Sequence, residues 1–121
     1  MFQVKCVKYL LMVQDMNRAI EFYSKVFGLS IRFQSSDWTE LTAGDAVVAL
    51  HGGGSGERVD TGLSFQVDDI EAAFAAATAA GAAVVQPPHD PGGEGIRLAD
   101  LVDPEGNGFM LSQAIGDWAE G

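Results

Sequence analysis

Cysteine is almost absent: Cys6 is the only one in 121 residues. A single thiol can form neither an intramolecular disulfide nor a thiolate metal cluster. Its place in an apolar run predicts a small buried hydrophobe rather than a nucleophile. Basic residues are scarce too. Seven Lys and Arg stand against 17 Asp and Glu, for a net charge of −10. Phosphate contacts need clustered Lys and Arg, and no cluster occurs, so nucleic acid and anionic membrane surfaces are disfavoured as partners. The acidic balance keeps the protein soluble and permits a cationic ligand. Long apolar runs are missing as well. The run from Val7 to Val13 is broken by Lys8 and ends at Gln14-Asp15. It is too short to cross a bilayer and has no signal-peptide cleavage pattern. A cytoplasmic protein is expected.

What is present is a core and a repeat. Hydrophobic residues make up 47% of the chain, and the length fits one domain. Val4 to Val13 reads as a strand buried on both faces. Asp15 is placed to cap a helix. Ala19, Phe22, Tyr23 and Val26 then follow at i, i+3, i+4, i+7 and make one apolar stripe. Gly28 closes that helix, and Leu29 to Phe33 starts a strand. The second half repeats this order. Leu63 to Val67 is a strand, and Asp68 or Asp69 caps a helix striped by Ile70, Ala73, Phe74 and Ala77. Gly81 ends that helix, and Ala82 to Val85 is again a strand. Val13 and Val67 share one offset with Asp15 and Asp69. Each half closes alike: Trp38 to Leu41 and then Ala46 to Leu50 in the first, Ile96 to Val102 and then Gly108 to Leu111 in the second. Gly44-Asp45 and Asp103-Pro104-Glu105-Gly106-Asn107 are the turns before the last strands.

The expected fold class is therefore α+β, with two tandem βαβββ modules. The first module covers 1–51 and the second 62–113. A linker of 52–61 and a tail of 114–121 complete the domain. The glycine-rich run from His51 to Glu57, which leads from the first module into the linker, lacks Gly-Lys-Ser/Thr and opens no helix, so it is not a phosphate cradle.

The string from Asp15 to Leu29, with Phe22-Tyr23 and Gly28-Leu29 inside it, resembles the first-helix signature of the glyoxalase/bleomycin-resistance/extradiol-dioxygenase superfamily, the vicinal oxygen chelate fold. Asp103-Pro104-Glu105-Gly106-Asn107 resembles that family's Asp-Pro-Asp/Glu-Gly-Asn turn. The resemblance runs from about Val7 to Ser112. It implies a curved mixed sheet around a cup, with a divalent metal held by His and Glu from four strands. Aligned through the motifs, those four positions are Lys8, Ala49, Gly62 and Met110. None is a metal ligand, nor are the neighbours Tyr9, Leu50, Leu63 and Leu111. No metal and no cofactor is expected. The glyoxalase and dioxygenase activities of the family lose their usual basis.

Strand alternation gives the side chains of the cup. Lys8, Leu10 and Met12 share a face with Cys6. Val47, Ala49 and His51 follow on the strand that ends the first half. Gly62, Ser64 and Gln66, then Met110 and Ser112, come from the second half. Trp38 and Glu40 share one face of another strand, where an indole beside a carboxylate suits a planar or cationic ligand. His51 is read either as a general base near the rim or as an exposed strand-end histidine. Lys8 either grips an anionic group or extends to the edge. The loop from Pro87 to Gly93 is read as exposed, with His89 and Asp90 not forming a dyad. The leading expectation is a protein that binds a small organic molecule, as bleomycin-resistance proteins do. The alternative is a lyase, isomerase or dioxygenase with an atypical or metal-free site. A dimeric interaction module is a third reading. A homodimer is expected in each case, with Phe2, Val4, Phe65 and Trp118 as interface candidates.

Overall fold

Asp15 caps the first helix as its sequence demands. In a computed structural model that describes residues 1–115, its carboxylate accepts the backbone N–H of Arg18. The first module runs β1 (Lys8–Val13), α1 (Met16–Phe27), β2 (Ser30–Gln34), β3 (Trp38–Ala43) and β4 (Ala46–Gly52). The second runs β5 (Val59–Gln66), α2 (Ile70–Ala79), β6 (Ala83–His89), β7 (Ile96–Val102) and β8 (Asn107–Ala114). Asp69, not Asp68, caps α2 by accepting from the N–H of Ala72. Each module folds into its own four-stranded mixed sheet, in the orders β1-β4-β3-β2 and β5-β8-β7-β6. The helix supplies the crossover that a parallel pair requires, so β1 lies parallel to β4 and β5 to β8. The remaining neighbours are antiparallel.

The two modules share one core on their helix sides. Leu11, Val13, Leu41, Val48 and Leu50 of the first sheet meet Leu63, Ala99, Leu101, Phe109 and Leu111 of the second, with the helices between them. Phe22, Tyr23 and Phe27 of α1 reach across to Phe65 and Phe109. Phe27 stacks on Phe65 at 4.3 Å between ring centroids. Phe65, half-buried, therefore contributes to the joint between modules. The opposite faces of both sheets are turned to solvent. Leu10 and Met12 are 49% and 42% exposed, and Ser64 and Gln66 are also exposed. Among the described residues, the two faces do not cover each other in a single chain.

Three details differ from the sequence reading. β1 starts at Lys8 rather than at Val4, because its partner β4 begins only at Ala46 and the pairing opens with Lys8 opposite Val47. The segment before it is exposed, so Cys6 is an exposed thiol and not a buried one. β6 runs through Pro87 and Pro88 to His89, where a loop was expected. It is an edge strand with two irregularities in its pairing to β7, and prolines are tolerated there because no outer neighbour needs their missing N–H. Trp118 lies outside the described residues.

Candidate functional site

The outward face of the first sheet is built by register. Lys8, Leu10 and Met12 on β1 stand opposite Val47, Ala49 and His51 on β4. Thr42, Glu40 and Trp38 on β3 stand opposite the same three residues from the other side. A period of two on three adjacent strands thus brings Lys8, Trp38, Glu40, Ala49 and His51 onto one surface. Ala49 is fully buried beneath its larger neighbours and acts as the floor.

Glu40 is the centre of this surface. Its side chain is buried, and it accepts from the Lys8 ammonium and the Trp38 indole N–H, each at 2.9 Å. The Arg32 guanidinium lies 3.3 Å from its other oxygen. The hydrogen bond from Lys8, followed by that from Trp38, holds the Glu40 carboxyl below its ordinary value against the opposing effect of desolvation. The carboxylate that the sequence reading offered to a cationic ligand is thus already engaged by two hydrogen bonds and an ion pair. Lys8 also lies 5.9 Å from the centroid of the Trp38 ring, and His51 meets that ring edge-on at 5.8 Å. The imidazole Nδ1 sits against the carbonyl of Gly52, and the residue is exposed at the end of β4.

Arg32 escaped the sequence reading. Ile31 pairs with Leu41 and Phe33 with Glu40, so Arg32 is an extra residue in a bulge of β2. A strict alternation along β2 carries no sign of this. The charge itself was the available signal, since Arg32 is one of only seven basic residues.

The second sheet carries the other candidates. Ser64 is opposite Met110 and Gln66 opposite Ser112 on its outward face. Gly62 does not follow that alternation. It sits where the β5–β8 register slips, with φ 77°, and a Cβ built on it would lie 2.9 Å from the Tyr9 hydroxyl. Only its backbone borders a hollow of about 350 Å³, whose wall includes Arg58, Asp60, Val85, Asp100 and Met110. A wider hollow of about 730 Å³ lies at the start of α1 against Gln34, Ser35 and Ser36, and none of the cup residues lines it. The cup residues therefore divide into two groups on two sheets. His89 and Asp90 join neither group: Asp90 accepts the backbone N–H groups of Gly92 and Gly93 and braces its own loop.

A metal does not fit the four positions the resemblance assigns to ligands. An ammonium held by Glu40, a methyl, a bare α-carbon and a thioether do not form a donor set for a catalytic divalent ion. Among the described residues no three His, Cys, Asp or Glu side chains come together as a metal-binding group. The two family motifs serve the joint between modules instead. Tyr23 donates to the buried carboxylate of Asp103, while Glu105 accepts from the N–H groups of Gln14 and Asp15 and from Arg18.

The profile of the Glyoxalase/Bleomycin resistance protein/Dioxygenase superfamily matches residues 5–111. Solved structures repeat the fold. A glyoxalase/bleomycin resistance protein/dioxygenase family enzyme from Burkholderia phytofirmans PsJN is similar at a TM-score of 0.75 and 24% identity, over 89% of this chain and 97% of that one. The fosfomycin resistance protein FosX from Listeria monocytogenes is similar at a TM-score of 0.79 and 16% identity, over 98% and 99%. TioX from Micromonospora sp. ML1 is similar at a TM-score of 0.72 and 22% identity, over 93% and 100%. No curated protein matches the sequence.

Proposed function

The chain belongs to the Glyoxalase/Bleomycin resistance protein/Dioxygenase superfamily, and on that premise we propose that it binds a small, flat organic molecule on the outward face of its first sheet without a metal. The observation that carries this reading is the surface that replaces the ligand set. Where the family places two of its ligands, Lys8 and Ala49, this chain has a cation and a small floor, flanked by Trp38, Glu40 and His51. Leu10, Met12 and Phe33 add exposed apolar area beside them. Few polar groups on an apolar, aromatic surface is the usual composition of a small-molecule site. Fold relatives named for resistance to bleomycin or fosfomycin make a role in handling small organic compounds a natural one.

A second copy of the chain belongs to this reading. Each sheet face is open in one chain, and a face of a partner laid over it would close the cup. Ser64, Gln66, Gly62 and Met110 would then form the opposite wall.

The second reading is an enzyme of the lyase, isomerase or dioxygenase type with an atypical site. His51 favours it, because an exposed imidazole beside the Trp38 ring could accept a proton from a bound molecule.

Chelator-treated protein titrated with a panel of planar compounds separates these readings. Calorimetry reads the affinity of the parent and of each variant, because Trp38 is itself one of the positions changed. Binding without turnover, weakened about tenfold or more by Trp38→Ala, is the expected result, since tenfold corresponds to ~1.4 kcal/mol. Product formation would move the assignment to the second reading. Binding that required added metal would sink the first.

A further inference from the structure

We infer that the ligand of the first-sheet face is a planar anion, an aromatic carboxylate in the simplest case, whose acid group is held between Lys8 and Arg32. The inference rests on the proposed binding function and gives it a ligand class. Two of the seven basic residues converge on this surface of a chain whose net charge is −10. Glu40 faces both of them, so Lys8, Arg32 and Glu40 together leave one uncompensated positive charge. The Glu40 carboxylate is already paired with two cations, Lys8 and Arg32, and accepts the Trp38 N–H, so a third cation would meet a site whose net charge is already positive.

The cations, in contrast, have donors to spare. An ammonium carries three N–H groups and a guanidinium five, in a fork that matches a carboxylate. The side chains of Lys8 and Arg32 are 41% and 48% exposed; Arg32 Nη1 lies 3.8 Å from the Cys6 sulfur, a weak acceptor, and other N–H groups of the two cations are open to an incoming group. Their common anchor on Glu40 fixes them in place, which lowers the ordering cost of gripping an anion. The indole of Trp38 lies beside Lys8, and Leu10 and Phe33 are exposed nearby, so the flat apolar body of such a ligand has its own surface. The second-sheet hollow differs in charge: Asp60 and Asp100 are there with Arg58, which lies 3.5 Å from Asp60. An acid group is therefore directed to the first sheet.

The test uses the full chain and pairs of isosteric probes: benzoate with benzamide, 2-naphthoate with 2-naphthamide, indole-3-acetate with indole-3-acetamide, and tryptamine as a cation. Calorimetric titration should show each preferred carboxylate binding about tenfold or more tighter than its amide, with tryptamine weakest. Arg32→Gln should reduce that preference several-fold and leave the amide affinity within about twofold. Glu40→Gln should widen the preference. Amides that bind as well as acids, or an Arg32→Gln variant that weakens both alike, would overturn the inference and leave the binding function standing. If tryptamine binds best, the charge preference is the reverse. If no probe of any charge binds, the inference and the binding function both fall. Circular dichroism of each variant separates loss of binding from loss of fold.

Discussion

The hydroxyl of Tyr23 on α1 donates to the buried carboxylate of Asp103, 80 residues away in the turn before β8. One bond thus joins the two strings by which the family is recognised. Asp103 also accepts the backbone N–H groups of Glu105 and Asn107. Burial raises its pKa, and the hydrogen bonds only partly oppose that. Burial, together with the charge of Asp103, pushes the Tyr23 hydroxyl well above its ordinary value.

Tyr23→Phe should therefore destabilise the protein by about 1–3 kcal/mol at pH 7, since it deprives a buried carboxylate of a donor. The pH dependence has a definite sign. An acid whose pKa is raised in the folded state loses stability as pH rises from its ordinary value through its folded one. Removing Tyr23 raises that pKa further. The gap between variant and parent should shrink as pH falls from 7 toward about 4, the ordinary aspartate range, because burial makes Asp103 protonate before that range is reached. Urea unfolding of both proteins at the two pH values measures it. A gap that is constant or grows in acid would show that the carboxylate is not the source.

Glu105 is the second clasp. Its side chain is fully buried, with one oxygen on the N–H groups of Gln14 and Asp15 and the other on Arg18. Glu105→Ala leaves two buried backbone donors and a guanidinium without their acceptor, and should cost about 3–5 kcal/mol. Arg18 is half-exposed, so Arg18→Gln should cost far less. Chemical denaturation ranks the two variants, and equal losses would contradict the asymmetry.

Gly106 has φ 92°, and a Cβ there would meet the carbonyl oxygens of Gly56 and Glu57 at 2.5 Å. Gly28 also has positive φ, at 66°, but open space around it. Gly28→Ala should cost about 1–2 kcal/mol from backbone conformation alone. Gly106→Ala adds overpacking of about 1–3 kcal/mol or prevents folding. Thermal melts of both variants check the order.

The fold was legible because its signals are periodic and local. Asp15, Gly28 and the stripe from Ala19 to Val26 mark α1 by themselves, and the second half repeats the pattern around Asp69. Strand parity placed Lys8, Trp38, Glu40, Ala49 and His51 on one surface for the same reason. What alternation could not supply were its interruptions. The bulge at Arg32 and the slip at Gly62 depend on the partner strand, not on the residue's own neighbours. The engagement of Glu40 was equally out of reach, because it joins three strands. Cys6 was misplaced because burial depends on what lies opposite: among the described residues no strand pairs with the chain before Lys8.

The four former ligand positions also make a chemical prediction. Protein purified without a polyhistidine tag should carry far less than one transition metal per chain by elemental analysis. Lys8→His restores one imidazole but leaves Ala49, Gly62 and Met110 without donors, so it should not create stoichiometric binding. A tightly held ion in the parent protein would reveal a donor set elsewhere or refute the alignment.

The sheet edges predict the assembly. β1 and β5 each have one unpaired side, as do β2 and β6 at the far ends. β6 is blunted by Pro87 and Pro88. Val59 at the β5 edge and Leu10 on β1 are exposed, and the segment before β1 exposes Phe2, Val4 and Val7. A twofold partner would cover this apolar area and close each open sheet face at the same time. Light scattering at micromolar concentration should give twice the 12.8 kDa chain mass. Val7→Glu combined with Val59→Glu sets like charges into the contact and should return the single-chain mass with the far-ultraviolet circular dichroism retained. The same double variant should lose affinity for any ligand that needs both walls, even though neither Trp38 nor Arg32 has been changed. A parent protein that scatters only as a 12.8 kDa species would leave the cup open, and the first-sheet face would then have to bind its ligand alone.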